Sequence, residues 1–223
     1  MDQYAVGLDL GQAQDFSTLA IVQKSGEEYH VRGLERFRLG TPYPAIVERV
    51  QTVAHRLPKG TALVVDATGV GAPVVDLFRS VRLHPVAVTI TGGDTVSHDK
   101  DNNYRVPKRN LVSTLAVLLQ SGRLKIARSL PEAATLTKEL LNFRVRIDPA
   151  TAHDSYAAWR EGDHDDLVLA TAMACWYAQY QAGTTGHFQE GARYWGGTPQ
   201  FASPPEAGRF HQYAEELDEE RTQ

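Results

Sequence analysis

Acidic residues at three separate places along the chain have the types and surroundings that divalent-cation chemistry needs. Asp9 lies within YAVGLDL, a segment that is otherwise apolar. Asp66 ends the apolar run of TALVVDAT, and Asp165 and Asp166 open the long apolar segment that follows EGDH. Because a carboxylate in a buried strand is costly unless its charge is compensated, Asp9 needs a partner of some kind.

Each of these acids has an ordinary structural explanation when taken alone. Asp66 can cap the turn or helix that follows it. Acids in the first turn of a helix gain about 0.3–1 kcal/mol each from the helix dipole. Positions 163–166, however, hold three acids and one histidine, and like charges so close together repel one another. A bound cation would remove that repulsion.

The three stretches together predict one carboxylate cage, formed by Asp9, Asp66 and either Asp165 or Asp166. Ligand sets made only of carboxylate oxygens select hard cations, here Mg²⁺ or Mn²⁺. Two such ions roughly 3.5–4 Å apart would activate a water molecule and stabilise the leaving oxygen in phosphodiester hydrolysis. The acids therefore point to a two-metal nuclease.

The elements that must position these acids begin with three strands. Short polar or glycine-bearing turns separate the segments 4–10, 17–24 and 29–39, which favours an antiparallel meander. Apolar spacing and continuous apolar runs then predict alternating helices and buried strands: helix 43–57, strand 61–68, helix 70–81 and strand 84–90. This order indicates an α/β or α+β sheet with helices on both faces.

The second half of the chain is mostly helical. Residues 91–106 are polar and have no period, so we expect a mobile loop or a hairpin there. Three helices are predicted after it, at 107–122, 130–143 and 162–181. From residue 182 onward no apolar period survives, so the expected organisation is a domain over 1–181 and a weakly structured tail over 182–223.

Composition restricts the function further. The chain has 223 residues, of which 42% are hydrophobic, and a net charge of −4, which argues against a purely electrostatic nucleic-acid binder. Its single cysteine excludes an internal disulfide and a cysteine-based zinc cluster. The sequence contains no Walker A motif, no signal-peptide pattern and no apolar run near the roughly 20 residues of a membrane span. We therefore expect a cytoplasmic protein with no membrane partner.

Basic residues are concentrated around the polar segment and the helix after it. They are Lys100, Arg105, Lys108 and Arg109. Residues of this kind would contact phosphates without reading sequence, although a solvated charged surface explains them equally well. A second, weaker group consists of Arg123, Lys125 and Arg128.

The order of these motifs resembles the ribonuclease H-like superfamily and, within it, the nuclease domain of phage large terminase subunits. The matching segments, within residues 4–181, are GLDLGQAQDFSTLAIV, VVDATGVGAPVVDLF, VPKRNLVSTLAVLLQSGRLKIA and GDHDDLVLATAMA. The resemblance implies a central mixed sheet whose first three strands are antiparallel. It also implies a divalent-metal endonuclease that cuts double-stranded DNA during genome packaging.

Carried over by position, the resemblance implies that Asp9, Asp66 and Asp166 hold the metal ions and that Asp165 is a fourth or alternative ligand. Asp15, in the D-x-S that follows the first strand, matches an acid beside the metals, and capping the next turn is its alternative role. Terminases normally carry an ATPase motor before the nuclease, whereas this sequence opens on the first nuclease strand. We therefore expect the motor on another chain, or an isolated or relic nuclease domain. A small terminase subunit and a portal protein are the other expected partners.

Three other functions remain open on the sequence. A Holliday-junction resolvase would share the fold and the acids and differ in substrate. The segment GLDLG also resembles the first phosphate loop of actin-like ATPases and sugar kinases. The third alternative is a packaging module that keeps the fold without cutting DNA, with the acidic EELDEE of the tail as its interaction element.

Overall fold

A computed structural model describes residues 2–11, 15–69, 71–93, 95–146 and 165–184. The chain begins with an antiparallel meander. Its strands are β1 (Gln3–Asp9), β2 (Thr18–Ser25) and β3 (Glu28–Arg36). Each pairs with the next in an antiparallel register. The meander was predicted from the short turns between these segments, and β-branched residues such as Val6, Ile21 and Val31 suit its strands.

The remaining elements alternate between helix and strand. In chain order they are α1 (Tyr43–Arg56), β4 (Ala62–Asp66), α2 (Gly71–Ser80), β5 (Val86–Thr91), β6 (Ser97–His98), β7 (Asn103–Pro107), α3 (Lys108–Gln120), β8 (Leu124–Ile126), α4 (Ala133–Arg146) and α5 (Asp166–Thr184).

All eight strands belong to one mixed sheet in the order β6-β7-β5-β4-β1-β2-β3-β8. Strands β1, β4, β5 and β7 run parallel to one another. Their carboxyl ends therefore meet at the same end of the sheet, called the carboxyl end below. In open α/β sheets this is the end at which ligands bind.

Helices cover both faces of the sheet, which confirms the predicted fold class. Val6 and Leu8 of β1 pack in a cluster with buried residues of α1 and α2. Ala5, whose side chain points to the other face, packs in a cluster with residues of α3, α4 and α5. Helix α5 is buried along most of its length because it lies directly on this second face.

The polar segment 91–106 contains the β6–β7 hairpin, which is one of the two structures predicted for it. Strand β7 also pairs in parallel with β5, a pairing that the sequence pattern does not indicate. Strand β8 was not predicted, because three residues in a short basic stretch show no readable period. It is held by parallel pairing with β3, in which Tyr29 faces Leu124.

Helix α5 continues to Thr184, and residues 185–223 of the predicted tail lie outside the described residues. None of the helices in the described ranges is long and apolar enough to cross a membrane.

Candidate metal centre

Four polar residues form one row across the carboxyl end of the sheet. Asp9 pairs with Thr18, and Thr18 pairs in turn with Arg36. On the other side of β1, Leu8 pairs with Val65 of the parallel strand β4. The next residue of each strand is an acid, so Asp9 lies beside Asp66. Laterally paired residues of neighbouring strands project on the same face, and here this is the face covered by α5.

The start of α5 is tied to this row. The Thr18 hydroxyl donates a 2.8 Å hydrogen bond to the backbone carbonyl of Asp166. Further along the helix, a Cβ placed on Gly7 would lie only 1.9 Å from the carbonyl oxygen of Ala170. Glycine at position 7 therefore lets the backbone of α5 lie directly on β1. This close approach brings the first residues of the helix to the end of β1.

The acids at this point act strongly on one another. Asp9, Asp66 and Asp166 are all buried, with 8–9% of their surface exposed. The pKa of Asp9 is raised well above its usual range, first by burial and then by the negative charges of Asp66, Asp166, Asp165 and Asp15. The structure thus brings the other four predicted acids within electrostatic reach of Asp9, from the end of β4, the β1–β2 loop and the start of α5.

Asp66 also shapes the turn that follows β4. Its Oδ1 accepts a 2.8 Å hydrogen bond from the backbone N–H of Thr68, two residues on. This is the capping role expected of an Asp at such a turn. A carboxylate has about four lone-pair sites on its two oxygens, so a residue that shapes the turn in this way can also ligate a cation.

Asp15 lies exposed in the connection between β1 and β2. The chain turns back tightly here, since a Cβ on Gly11 would lie 2.3 Å from the carbonyl oxygen of Asp15. The backbone N–H of Gly11 also donates to the Ser17 hydroxyl at 3.1 Å. These contacts return Asp15 toward the carboxyl end of the sheet.

Two residues of this region were not predicted from the sequence, Glu139 on α4 and Arg36 on β3. Glu139 Oε2 accepts hydrogen bonds from the backbone N–H groups of Leu167 (3.1 Å) and Val168 (3.3 Å). Arg36 donates to its other oxygen, Oε1, at 2.6 Å. Burial raises the pKa of Glu139 to about 7, while the Arg36 guanidinium opposes that rise.

A signal for Glu139 was present in the sequence. It lies three residues after Leu136 and immediately before Leu140, and both of these leucines are buried in the core. Residues at this spacing share one helix face, so Glu139 is an acid on an apolar stripe. The same argument that singled out Asp9 applies to it.

The donor set fits a hard divalent cation by its chemistry. It consists of carboxylate oxygens, three of its members (Asp9, Asp66 and Asp166) are buried, and the neighbouring acids disfavour the charged form of Asp9, which a bound cation would offset. Among the residues that the structure describes, no three His, Cys, Asp or Glu side chains are grouped closely enough to hold an ion as they stand. Asp163 and His164, from the same motif as Asp165 and Asp166, lie outside the described residues.

The predicted basic cluster is divided between the two ends of the sheet. Lys108 and Arg109 open α3 directly after β7 ends, so they lie at the carboxyl end. Strand β7 is three strands from β1, a distance of about 14 Å at about 4.8 Å per strand. Arg105 is exposed midway along β7, and Lys100 lies in the β6–β7 turn at the opposite end.

The second basic group is partly neutralised by acids of the meander. Arg123 pairs with Glu27 at 2.6 Å, and Lys125 pairs with Glu28 at 3.4 Å. Both pairs lie near the start of β3, which is the end of the sheet opposite to Arg36 and the acids. Arg123 and Lys125 are therefore remote from the candidate metal centre.

Comparison with known proteins gives one family and a set of similar folds. Residues 6–177 match the family described as the terminase RNaseH-like domain. The large terminase nuclease from thermophilic phage G20c is 19% identical, with a TM-score of 0.51 over 80% of this chain and 82% of that chain. The large terminase of a second thermophilic bacteriophage is 11% identical, also with a TM-score of 0.51, over 80% of this chain and 39% of that chain. This chain therefore spans less than half of that second protein. No curated protein sequence matches it.

Proposed function

Because this chain belongs to the terminase RNaseH-like domain family, we propose that it is a divalent-metal-dependent endonuclease that cuts double-stranded DNA during the packaging of a phage genome. The family favours this function over the resolvase and actin-like alternatives. The observation that carries the proposal is the burial of Asp9 among four other carboxylates at the carboxyl end of the sheet.

We assign the metal-binding role to Asp9, Asp66 and Asp166, with Asp165 as a fourth or alternative ligand and Asp15 beside them. Two bound Mg²⁺ or Mn²⁺ ions would supply an activated water and stabilise the leaving oxygen of the phosphodiester. The chain's own contribution is to hold these carboxylates together on rigid elements. The Thr18 hydroxyl and the close contact at Gly7 support this role, because they hold the start of α5 against β1.

The proposal gives the basic residues the task of holding DNA. Lys108 and Arg109 are the best placed of them, since they follow β7 at the same end of the sheet as Asp9 and Asp66. Arg105 extends this basic surface along β7, whereas Lys100 lies too far toward the other end to share the same stretch of backbone. Contacts of this kind position the duplex and carry no sequence information.

The proposed partners follow from the same family. They are double-stranded DNA, an ATPase motor, a small terminase subunit and a portal protein. The second bacteriophage large terminase, of which this chain spans less than half, supports the expectation that further machinery takes part.

The substitution Asp66→Asn tests the metal centre. Asparagine keeps the Oδ1 acceptor that receives the Thr68 amide, so the turn after β4 should survive while a metal ligand is removed. We expect Mn²⁺-dependent cleavage of supercoiled plasmid to fall to background, with unchanged circular dichroism. The matched control is Asp76→Asn, which removes an exposed acid of α2 and should leave cleavage intact.

Two results would contradict the assigned site or the activity itself. Normal cleavage by Asp66→Asn would remove Asp66 from the site, and wild-type protein that cuts no DNA with Mn²⁺ or Mg²⁺ would refute the nuclease activity. Cleavage of a four-way junction in strong preference to linear duplex would favour a resolvase instead.

A further inference from the structure

Glu139 connects three elements at the point where α5 begins. It projects from α4, accepts the amide N–H groups of Leu167 and Val168 on α5, and pairs with Arg36 at the end of β3. Its side chain is 6% exposed and that of Arg36 is 19% exposed. Burying an ion pair of this kind costs desolvation free energy, so the pair is weak evidence for a purely stabilising role.

Arg36 extends the connection to the β1–β2 loop. Its guanidinium lies over the ring of Phe16, 4.6 Å from the ring centroid, and Phe16 directly follows Asp15. Arg36 also pairs in register with Thr18, whose hydroxyl bonds the carbonyl of Asp166. The pair therefore contacts α5 and the β1–β2 loop, the elements next to Asp166 and Asp15.

We propose that Glu139 and Arg36 form a positioning pair that fixes Asp166, the first residue of α5, and the adjacent Asp165 beside Asp9. The inference rests on the proposed function, because that proposal makes Asp165 and Asp166 metal ligands. Glu139 accepts hydrogen bonds from the backbone N–H groups of the second and third residues of α5. In most helices the N-cap side chain accepts these bonds. Asp165, at the N-cap position, therefore does not have to supply that bond, and its carboxylate can serve the site.

Glu139 is not itself a ligand in this arrangement. Arg36 engages one of its oxygens, and two backbone amides engage the other. Neighbouring groups that hold the ligands of a metal are worth roughly 10–100-fold in metal affinity or activity. The expected consequence of removing Glu139 is therefore weaker metal binding by a protein that still folds.

The test compares Glu139→Ala with Glu139→Gln in the full chain at constant pH. Mn²⁺ affinity is measured by electron paramagnetic resonance of the free ion, and folding by thermal unfolding in EDTA. Glu139→Ala should weaken Mn²⁺ binding roughly 10–100-fold. Glu139→Gln keeps an oxygen that accepts the α5 amides and should recover most of that affinity.

The matched control is Glu35→Ala. Glu35 neighbours Arg36 on β3 and forms a half-buried ion pair with Arg49 on α1, on the other face of the sheet. Its removal should lower stability without changing Mn²⁺ affinity. If Glu139→Ala does not fold, Arg36→Ala takes its place, because it removes the partner of Glu139 and should also weaken Mn²⁺ binding.

The Mn²⁺ measurements distinguish the metal centre itself from the positioning role of Glu139. Wild-type protein that binds no Mn²⁺ would refute the metal centre itself. Wild-type binding that is unchanged in Glu139→Ala would overturn only the positioning role. Equal weakening in the Ala and Gln variants would show that accepting the α5 amides does not support Mn²⁺ binding, and would also overturn the positioning role.

Discussion

At the scale of single residues, the chemistry of this protein centres on Asp9. Its carboxylate is buried at the end of β1, and Asp66, Asp166, Asp165 and Asp15 all disfavour its charged form. Residues with pKa values perturbed in this way cluster at functional sites. A bound cation would offset this cost, because a nearby positive charge favours the charged form of the carboxylate.

The first prediction concerns the stability cost of that carboxylate. A raised pKa means that folded protein holds the Asp9 proton more tightly than unfolded protein does. The wild-type free energy of unfolding therefore falls as pH rises above about 3.9, the ordinary pKa of Asp. Asp9→Asn lacks this slope, so in EDTA it should unfold at a higher temperature than wild type at pH 7.5. The difference should shrink toward pH 4.

Differential scanning calorimetry across this pH range measures the effect, at about 2–4 °C for each kcal/mol in a chain of this size. Asp76→Asn, which changes an exposed acid of α2, serves as the control and should show no such trend. A lower unfolding temperature for Asp9→Asn at pH 7.5 would show that Asp9 stabilises the metal-free fold. In saturating Mn²⁺, wild type should unfold at a higher temperature than Asp9→Asn, because bound Mn²⁺ stabilises wild type by mass action.

At the scale of elements, the position of α5 decides whether the site can form. The helix is buried over most of its length and lies on β1 so closely that only glycine fits at position 7. At its first turn, Thr18 and Glu139 hold its backbone from β2 and α4. The helix is therefore fixed by the backbone contact at Gly7 and by side-chain hydrogen bonds at its start.

The second prediction follows from the contact at Gly7. A methyl group there would lie 1.9 Å from a backbone carbonyl oxygen, which cannot move aside as a flexible side chain would. Gly7→Ala should cost at least about 3 kcal/mol, at the upper end of overpacking effects. Urea unfolding followed by circular dichroism measures the difference. Gly92→Ala is the matched control, since a Cβ there meets nothing within 4 Å, and its stability should stay close to that of wild type.

At the scale of the whole molecule, parallel strands bring separate parts of the chain to one end of the sheet. Strands β1, β4 and β7 end there, and so deliver Asp9, Asp66 and the start of α3. Acids lie at the centre of this end, and Lys108 and Arg109 lie about 14 Å to one side, at about 4.8 Å per strand. A duplex bound along the basic side would bring a phosphodiester toward the acids.

The third prediction tests this arrangement by its salt dependence. Replacing Lys108 and Arg109 together with Ala should weaken binding to all duplex sequences alike. The slope of log affinity against log salt should flatten by about 0.9 for each phosphate that the variant no longer neutralises. Fluorescence anisotropy with two unrelated duplexes, in Ca²⁺ to limit cutting, measures both quantities.

The control is the double variant Arg123→Ala/Lys125→Ala, which removes the same charge at the opposite end of the sheet. Equal effects of the two double variants would indicate general electrostatic attraction rather than a DNA path past Lys108. An effect limited to one duplex would contradict the phosphate-contact role.

Local patterns in the sequence were sufficient for most of the elements and for most of the acids. The meander follows from its short turns, the buried strands from continuous apolar runs, and the covering helices from a period of 3.6 residues, all of which depend only on neighbours along the chain. Asp9, Asp66, Asp165 and Asp166 could be singled out because each is a charge in or beside an apolar run. Their assignment as metal ligands stays a prediction.

Other features depended on contacts between distant parts of the chain, which no local pattern contains. Strand β8 exists only by pairing with β3, and strand direction alone separates Lys100 from Lys108. Glu139 gains its place at the start of α5 from a partner 28 residues away in sequence. The sequence by itself determined which residues carry charge into the core. Only the tertiary structure decided which of those charges meet, because strand order, register and helix docking bring together residues far apart along the chain.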